Sequence, residues 1–206
     1  HLRVETLAGF LDLELLRRGD SVTAVRVDMG KPRLNRAEIP MALVPGSHDS
    51  NANEPVVNEP LTVNDRVYRV TAVSMGNPHC VLLVDDVDEA PVRNLGPQIE
   101  HLPAFPRGVN VEFIQVVDPA HLRMRVWERG SGETYACGTG ACAAAVATHL
   151  LDLTRRRVTV TMVGGDLEIE WASDGHVYMS GPCETVCTGE LSDEWLRSAS
   201  GLGQQS

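Results

Sequence analysis

Cys137 stands where a thiol could exchange protons with carbon. It is followed by Gly138, Thr139 and Gly140 and then by Ala141, Cys142 and an alanine run, so a glycine loop gives way directly to strong helix formers. A helix start leaves backbone N–H groups unpaired and carries about half a positive charge. Beside a thiol this favours the thiolate, and the same N–H groups can receive a carboxylate. One spot therefore offers both a base and an anion cradle. Three polar groupings lie elsewhere, at Asn77-Pro78-His79, at Asn110 and at Glu128-Arg129. Each alone has an ordinary account: His79 as a core imidazole, Asn110 as a turn residue, Glu128 and Arg129 as a solvated charge pair. With a helix-start thiol they become what proton transfer on a zwitterion requires, neighbours that set a pKa and partners that hold the substrate.

These residues must be positioned by a helix and the strands around it. Ala141, Ala143, Ala144, Ala145, Val146, Ala147, Leu150 and Leu151 leave the helix no wide polar face, and a helix apolar all round is buried. It is too short to span a membrane, so it is expected to be wrapped by β-sheet. Residues 2–6, 10–16 and 21–28 read as a meander, 67–74 and 80–84 as strands flanking the Asn77-Pro78-His79 break, and 109–117 and 122–127 as strands ahead of Cys137. Beyond the helix, 158–163, 167–171 and 177–180 read as strands, with Gly164-Gly165-Asp166 as a hairpin turn and 184–191 as a last strand. Residues 86–94 and 97–101 read as two short helices, the acidic run 85–89 capping the first. Residues 45–60 read as a solvated loop with His48 on its surface, and 198–206 as a disordered tail.

Composition narrows the function classes. With 28 acidic against 18 basic residues the net charge is -10, and the longest basic run is Arg155-Arg156-Arg157, which argues against nucleic acid as a partner. Five cysteines at irregular spacing, without an apolar leader, read as reduced thiols in the cytoplasm. Lys31, the only lysine, sits in a turn between Gly30 and Pro32, which argues against pyridoxal phosphate, a cofactor that needs a lysine Schiff base. No metal site is read either: Cys142 lies on a different helix face from Cys137, and Cys183 and Cys187 stand in a strand-like segment without further ligands.

Taken in order, Met75-Gly76-Asn77-Pro78-His79-Cys80, Asn110 in Val-Asn-Val-Glu-Phe, Glu128-Arg129-Gly-Ser-Gly-Glu-Thr and Ala136-Cys137-Gly-Thr-Gly-Ala-Cys142 resemble the diaminopimelate epimerase family. The resemblance runs from residue 2 to about residue 187 and treats 45–60 as an insertion. It implies an α/β fold of two pseudo-symmetric domains, each a mostly antiparallel barrel around a central helix, with the active site between them. It implies a cofactor-independent, two-base interconversion of LL- and meso-diaminopimelate on the route to lysine and peptidoglycan. Carried over by residue, Cys137 is one of two acid/base thiols, and His79 and Glu128 tune thiol ionisation. Asn77, Asn110, Glu128 and Arg129 hold the substrate, and Gly138 and Thr139 offer backbone N–H groups to a carboxylate. The expected partner is a small molecule, with no nucleic acid or membrane; a homodimer is left open. Proline racemase or hydroxyproline epimerase is the alternative enzyme reading, since both use a similar Cys-Gly-Thr-Gly thiol, and a non-catalytic remnant that binds an amino acid or a protein is the third.

One departure bears on activity. The family's other catalytic cysteine belongs to a Cys-Gly-Asn-Gly helix start that this sequence does not contain, and Cys80 has no glycine-rich helix start behind it. Residues 1–70 are therefore expected to be a remnant of the first domain, 71–187 the second domain, and 188–206 a tail. The purified 206-residue chain is expected to convert LL- to meso-diaminopimelate at a rate near zero, and normal turnover in that assay would overturn the expectation.

Overall fold

The computed structural model describes residues 1–6, 9–42 and 52–200. His48, residues 45–51 of the expected loop and residues 201–206 of the expected tail lie outside them. The described strands are β1 (Leu2–Thr6), β2 (Gly9–Arg18), β3 (Ser21–Asp28), β4 (Glu59–Val63), β5 (Arg66–Ser74) and β6 (Pro78–Leu83), then β7 (Asn110–Asp118), β8 (His121–Glu128) and β9 (Gly132–Thr134), and finally β10 (Arg157–Met162), β11 (Gly165–Trp171) and β12 (Val177–Pro182). The helices are α1 (Val92–Glu100), α2 (Gly138–Leu150) and α3 (Asp193–Ser200).

The expected mixed α/β class, rich in strands with one helix wrapped by them, is what the structure has. Its strands form a single sheet that does not close, in the order β1-β2-β3-β12-β11-β10-β8-β7-β6-β5-β4, with β9 beside β8. Most neighbours are antiparallel, but β6 with β7 and β8 with β10 run parallel. A parallel pair needs a crossover long enough to return the chain to the same end. Those two crossovers carry α1 and α2.

The two helices lie on opposite faces of the sheet. Side-chain alternation sends Val73, Val81, Ile114, Leu122, Met124 and Val126 toward α2, while Val70, Ala72, Cys80, Leu82, Val111 and Phe113 meet Val92, Leu95 and Ile99 of α1. Strands β5 to β7 are therefore covered on both sides. α2 touches β5, β6, β7, β8, β10, β11 and β12, and every residue from Gly140 to Thr148 is buried. Cys80 belongs to the α1 side and faces away from Cys137.

Several local expectations give way to packing. Residues 86–94 and 97–101 do not form two helices; α1 runs through Pro97, because Val92, Leu95 and Ile99 keep one continuous buried stripe that outweighs the missing hydrogen bond. The acidic run ahead of it is a turn, with Asp86 accepting from the Asp88 N–H and Asp88 paired to Arg123. Residues 184–191 are not a strand: β12 is already paired on both edges, by β11 and β3, and the chain leaves the sheet after Pro182. Part of the expected solvated loop is interior, since Val56 is fully buried, accepts from Ala72 N–H and donates to Leu34 C=O. α3, β4 and β9 were not expected. α3 is capped by Ser192, whose Oγ accepts from Trp195 N–H, with Asp193 and Glu194 in the first turn.

The face of α1 against β8 is tight at Gly96, where an added β-carbon would lie 2.6 Å from both Cβ and Cγ of Trp127. Alanine is the better helix former by about 1 kcal/mol, but overpacking of this kind costs about 1–3 kcal/mol. Gly96→Ala is expected to lower stability in urea unfolding; a more stable variant would show that Trp127 yields freely.

Candidate active site

The thiol sits at the join between loop and helix. Cys137 is the N-cap of α2 in extended conformation, φ -139° and ψ 106°, and its carbonyl accepts from Ala141 N–H as the first helical bond. Its Sγ lies 3.6 Å from Thr139 Oγ1, and the Gly140 N–H donates to it. Gly138 and Gly140 are small for reasons of space: a β-carbon on Gly138 would meet Met179 Sδ at 3.0 Å, and one on Gly140 would meet Glu112 Oε1 at 2.9 Å.

From Thr139 a chain of hydrogen bonds leads into the sheet. Asn77 Nδ2 donates to Thr139 Oγ1 at 3.2 Å, Asn77 Oδ1 faces His79 Nε2 at 3.1 Å, and His79 Nδ1 faces Glu112 Oε1 at 2.6 Å. The parallel register that sets His79 beside Asn110 brings β6 and β7 into this line. Asn110 is itself fixed, donating to Pro78 C=O at 2.8 Å and accepting from the Arg129 N–H at 2.9 Å. Thus Thr139, Asn77 and His79 form a line of contacts leading from Cys137, with Asn110 beside His79 in the sheet.

The Glu128 carboxylate accepts from the Thr134 hydroxyl. The buried carboxylate paired with His79 is Glu112, which sequence reasoning missed. Glu112 lies one position from both Val111 and Phe113, and alternation puts it on the α2 face with Ile114 and Asn110. That was the available signal. The Arg129 guanidinium donates to Arg107 C=O and lines a cavity of about 460 Å³ with Arg33, Arg107, Glu38 and Ser74. A second missed residue, Glu100 of α1, anchors this loop by accepting from Trp127 Nε1 at 2.7 Å and Gly130 N–H at 2.9 Å.

An open cleft of about 750 Å³ meets the start of α2, lined by Asn77 and Thr139 on one side and by Lys31, Arg33, Asp28 and His176 on the other. His176 Nδ1 pairs with both oxygens of Asp28, at 2.9 and 3.0 Å. Among the described residues no cluster of His, Cys, Asp and Glu is placed to hold a metal ion, and no helix is long and apolar enough to cross a membrane.

The ionisation of Cys137 runs against the helix-start expectation. Burial pushes the thiol up to about 11, and the negative charges of Glu112 and Glu128 add to this; the Thr139 hydroxyl and the Gly140 N–H pull the other way without prevailing. Burial likewise raises the carboxyl of Glu112, against the opposing pull of His79. At neutral pH Cys137 is a thiol, and so a proton donor.

The sequence model described as Diaminopimelate epimerase matches residues 71–186, more than half of the chain, including Cys137 and the line from Thr139 to Glu112. This chain belongs to the diaminopimelate epimerase family. Curated relatives named diaminopimelate epimerase include one from Pelotomaculum thermopropionicum, 59% identical over 92% of this chain and 65% of its own length, and one from Moorella thermoacetica, 55% identical over 92% and 66%. The chain therefore spans about two thirds of the length of these diaminopimelate epimerases. A probable proline racemase from Agrobacterium radiobacter, with bound carbonate, has the same fold at a TM-score of 0.64 and 15% identity, over 93% of this chain and 60% of its own. A predicted epimerase from Pseudomonas aeruginosa does so at 0.58 and 20%, over 91% and 67%.

In this member of the diaminopimelate epimerase family, alkylation by iodoacetamide reports the thiolate at Cys137. With a pKa of about 11, about one molecule in 10⁴ carries it at pH 7. Peptide mass mapping is expected to show Cys137 labelling slowly at pH 7 and faster as pH rises through about 11, with exposed Cys187 as the internal reference. Rapid labelling at pH 7 would mean that the helix start governs the thiol after all.

Proposed function

We propose that this chain carries one of the two proton-transferring thiols of a cofactor-independent epimerisation at the α-carbon of diaminopimelate, interconverting the LL and meso forms. The observation that carries the reading is a buried thiol at a helix start, joined through Thr139 and Asn77 to a cleft whose walls carry Lys31 and Arg33 as well as Asp12 and Asp28. A thiol with a pKa near 11 is matched to returning a proton to a strongly basic carbanion. The charge of that carbanion spreads onto the substrate carboxylate, and the N–H groups of Gly138 and Thr139 at the start of α2 would stabilise it where it develops. Asn77 and Asn110 are held by their own hydrogen bonds and so are set before substrate arrives. Arg129, beside Arg33 and Arg107, suits a second carboxylate.

The second base belongs to the same proposal. Cys80 and Cys142 are fully buried, with thiols raised by burial, and Cys80 faces the α1 side. Neither supplies a base to the cleft. The reading assigns that role to the family's Cys-Gly-Asn-Gly thiol, and divides the chain into residues 1–70 of the first domain and 71–187 of the second; β1 to β3 join the sheet through β12. It places the protein in the cytoplasm with a small-molecule substrate.

Ligand protection tests the substrate without requiring turnover. Diaminopimelate is expected to slow alkylation of Cys137 in the intact chain, in proportion to its occupancy, whereas proline does not. Protection by proline alone would transfer the reading to proline racemase chemistry, and protection by neither would favour a non-catalytic role. In a preparation that turns diaminopimelate over, Cys137→Ala is expected to lose on the order of 10²–10⁴-fold in rate.

A further inference from the structure

Behind Cys137 lie two titratable groups that are themselves fully buried, His79 and Glu112. Glu112 Oε1 is 2.6 Å from His79 Nδ1, and its other oxygen, Oε2, is buried without a partner among the described residues. The far side of the ring fixes the bookkeeping of hydrogens. Because Asn77 Nδ2 donates to Thr139 Oγ1, the amide turns its oxygen toward His79 Nε2. An amide oxygen only accepts, so Nε2 carries a hydrogen. Between Nδ1 and Oε1 there is then room for one hydrogen: two lone pairs at that distance repel, and two hydrogens collide. The pair shares a single proton with two resting places, as imidazolium facing carboxylate or imidazole facing carboxylic acid.

The same carboxylate reaches the thiol from the other direction. The place a β-carbon on Gly140 would take is 2.9 Å from Glu112 Oε1 and 3.3 Å from Cys137 Sγ, so carboxylate and sulfur border the same small space, and the Glu112 charge acts on the thiol across it. The other titratable groups around Sγ are Glu128 from β8, engaged by Thr134, and Cys142 on α2 itself; His79 of β6 acts through Asn77 and Thr139.

We propose that Glu112 is a positioning residue for Cys137, and that the proton it shares with His79 switches the thiol between proton donor and proton acceptor. With the proton on His79, a carboxylate faces Sγ and the thiol keeps its hydrogen. When that thiol protonates an α-carbanion, the S–H bond breaks and a C–H bond forms. The shared proton then moves from Nδ1 to Oε1, so that the new thiolate faces a neutral carboxylic acid and takes hydrogen bonds from the Thr139 hydroxyl and Gly140 N–H. The reverse direction runs the same steps backward: the thiolate accepts the α-proton and the shared proton returns to Nδ1. Nothing enters or leaves the buried pair in either direction. The α-carbanion in this scheme rests on the epimerase reading; the coupling of Glu112 to the thiol does not.

The test is the pH profile of Cys137 alkylation in the intact chain and its Glu112→Gln and Glu112→Asp variants. Glu112→Gln is expected to lower the midpoint by at least one unit and to raise the labelling rate at pH 8 about tenfold. Glu112→Asp retains the charge and is expected to return the midpoint toward wild type. An unchanged midpoint in Glu112→Gln would overturn the proposal, and so would equal shifts in both variants, since packing and not charge would then be responsible. Should Glu112→Gln lose its cooperative melt, ¹⁵N-resolved spectra of His79 in the wild-type chain decide: a far-downfield proton in the Glu112 bond with a hydrogen on Nε2 supports the shared proton, and an unprotonated Nε2 overturns it. None of these readouts needs turnover. A chain that is protected by proline, or by no amino acid, would overturn the epimerase reading and leave the coupling standing.

Discussion

The site depends on a helix slight enough to be surrounded. Between Gly140 and Ala147 the side chains of α2 are no larger than valine, and five of them are alanine. Seven strands can therefore wrap around it, and the stabilising area comes from the valines, isoleucines and methionines of the sheet, each worth about 1.5–3 kcal/mol when buried. Substituting bulk into the helix would push strands apart. Such confinement fixes the height and rotation of the helix, and that in turn sets where its first N–H groups point. The precision of the thiol is thus inherited from packing a full helix length away.

At that helix start two influences compete for one proton. The helix dipole favours thiolate, but by about 0.3–2 kcal/mol. Burial and the Glu112 charge move the thiol from an ordinary 9 to about 11, which amounts to about 3 kcal/mol in the opposite sense. The larger effect wins. A helix N-terminus beside a cysteine therefore says where an anion can be received, while the ionisation of the sulfur is decided by what lies beneath it.

The same distinction separates what could be read from the sequence and what could not. The Cys137 helix start, the buried character of α2 and most strands follow from composition and alternation over short windows, and these are local properties. Asn77, His79 and Asn110 were legible as polar residues breaking apolar strands. The pairing of His79 with Glu112 depends on the parallel register of β6 and β7, which no local pattern encodes. Glu100 was hidden for a similar reason: it closes a helix that seemed interrupted by Pro97, and its partners Trp127 and Gly130 come from a distant loop. The expected strand at 184–191 failed because a strand needs a free edge as well as β-forming residues, and β12 has none to give.

The raised thiol of Cys137 also bears on how such a protein survives oxidants. Peroxide reacts with thiolate, and a cysteine that is buried and protonated at neutral pH enters the path to sulfenic and sulfinic acid slowly. A site poised as a permanent thiolate would be the first casualty of oxidative stress. Here Cys137 is shielded by its own resting state, and exposed Cys187, outside the sheet, meets the oxidant first.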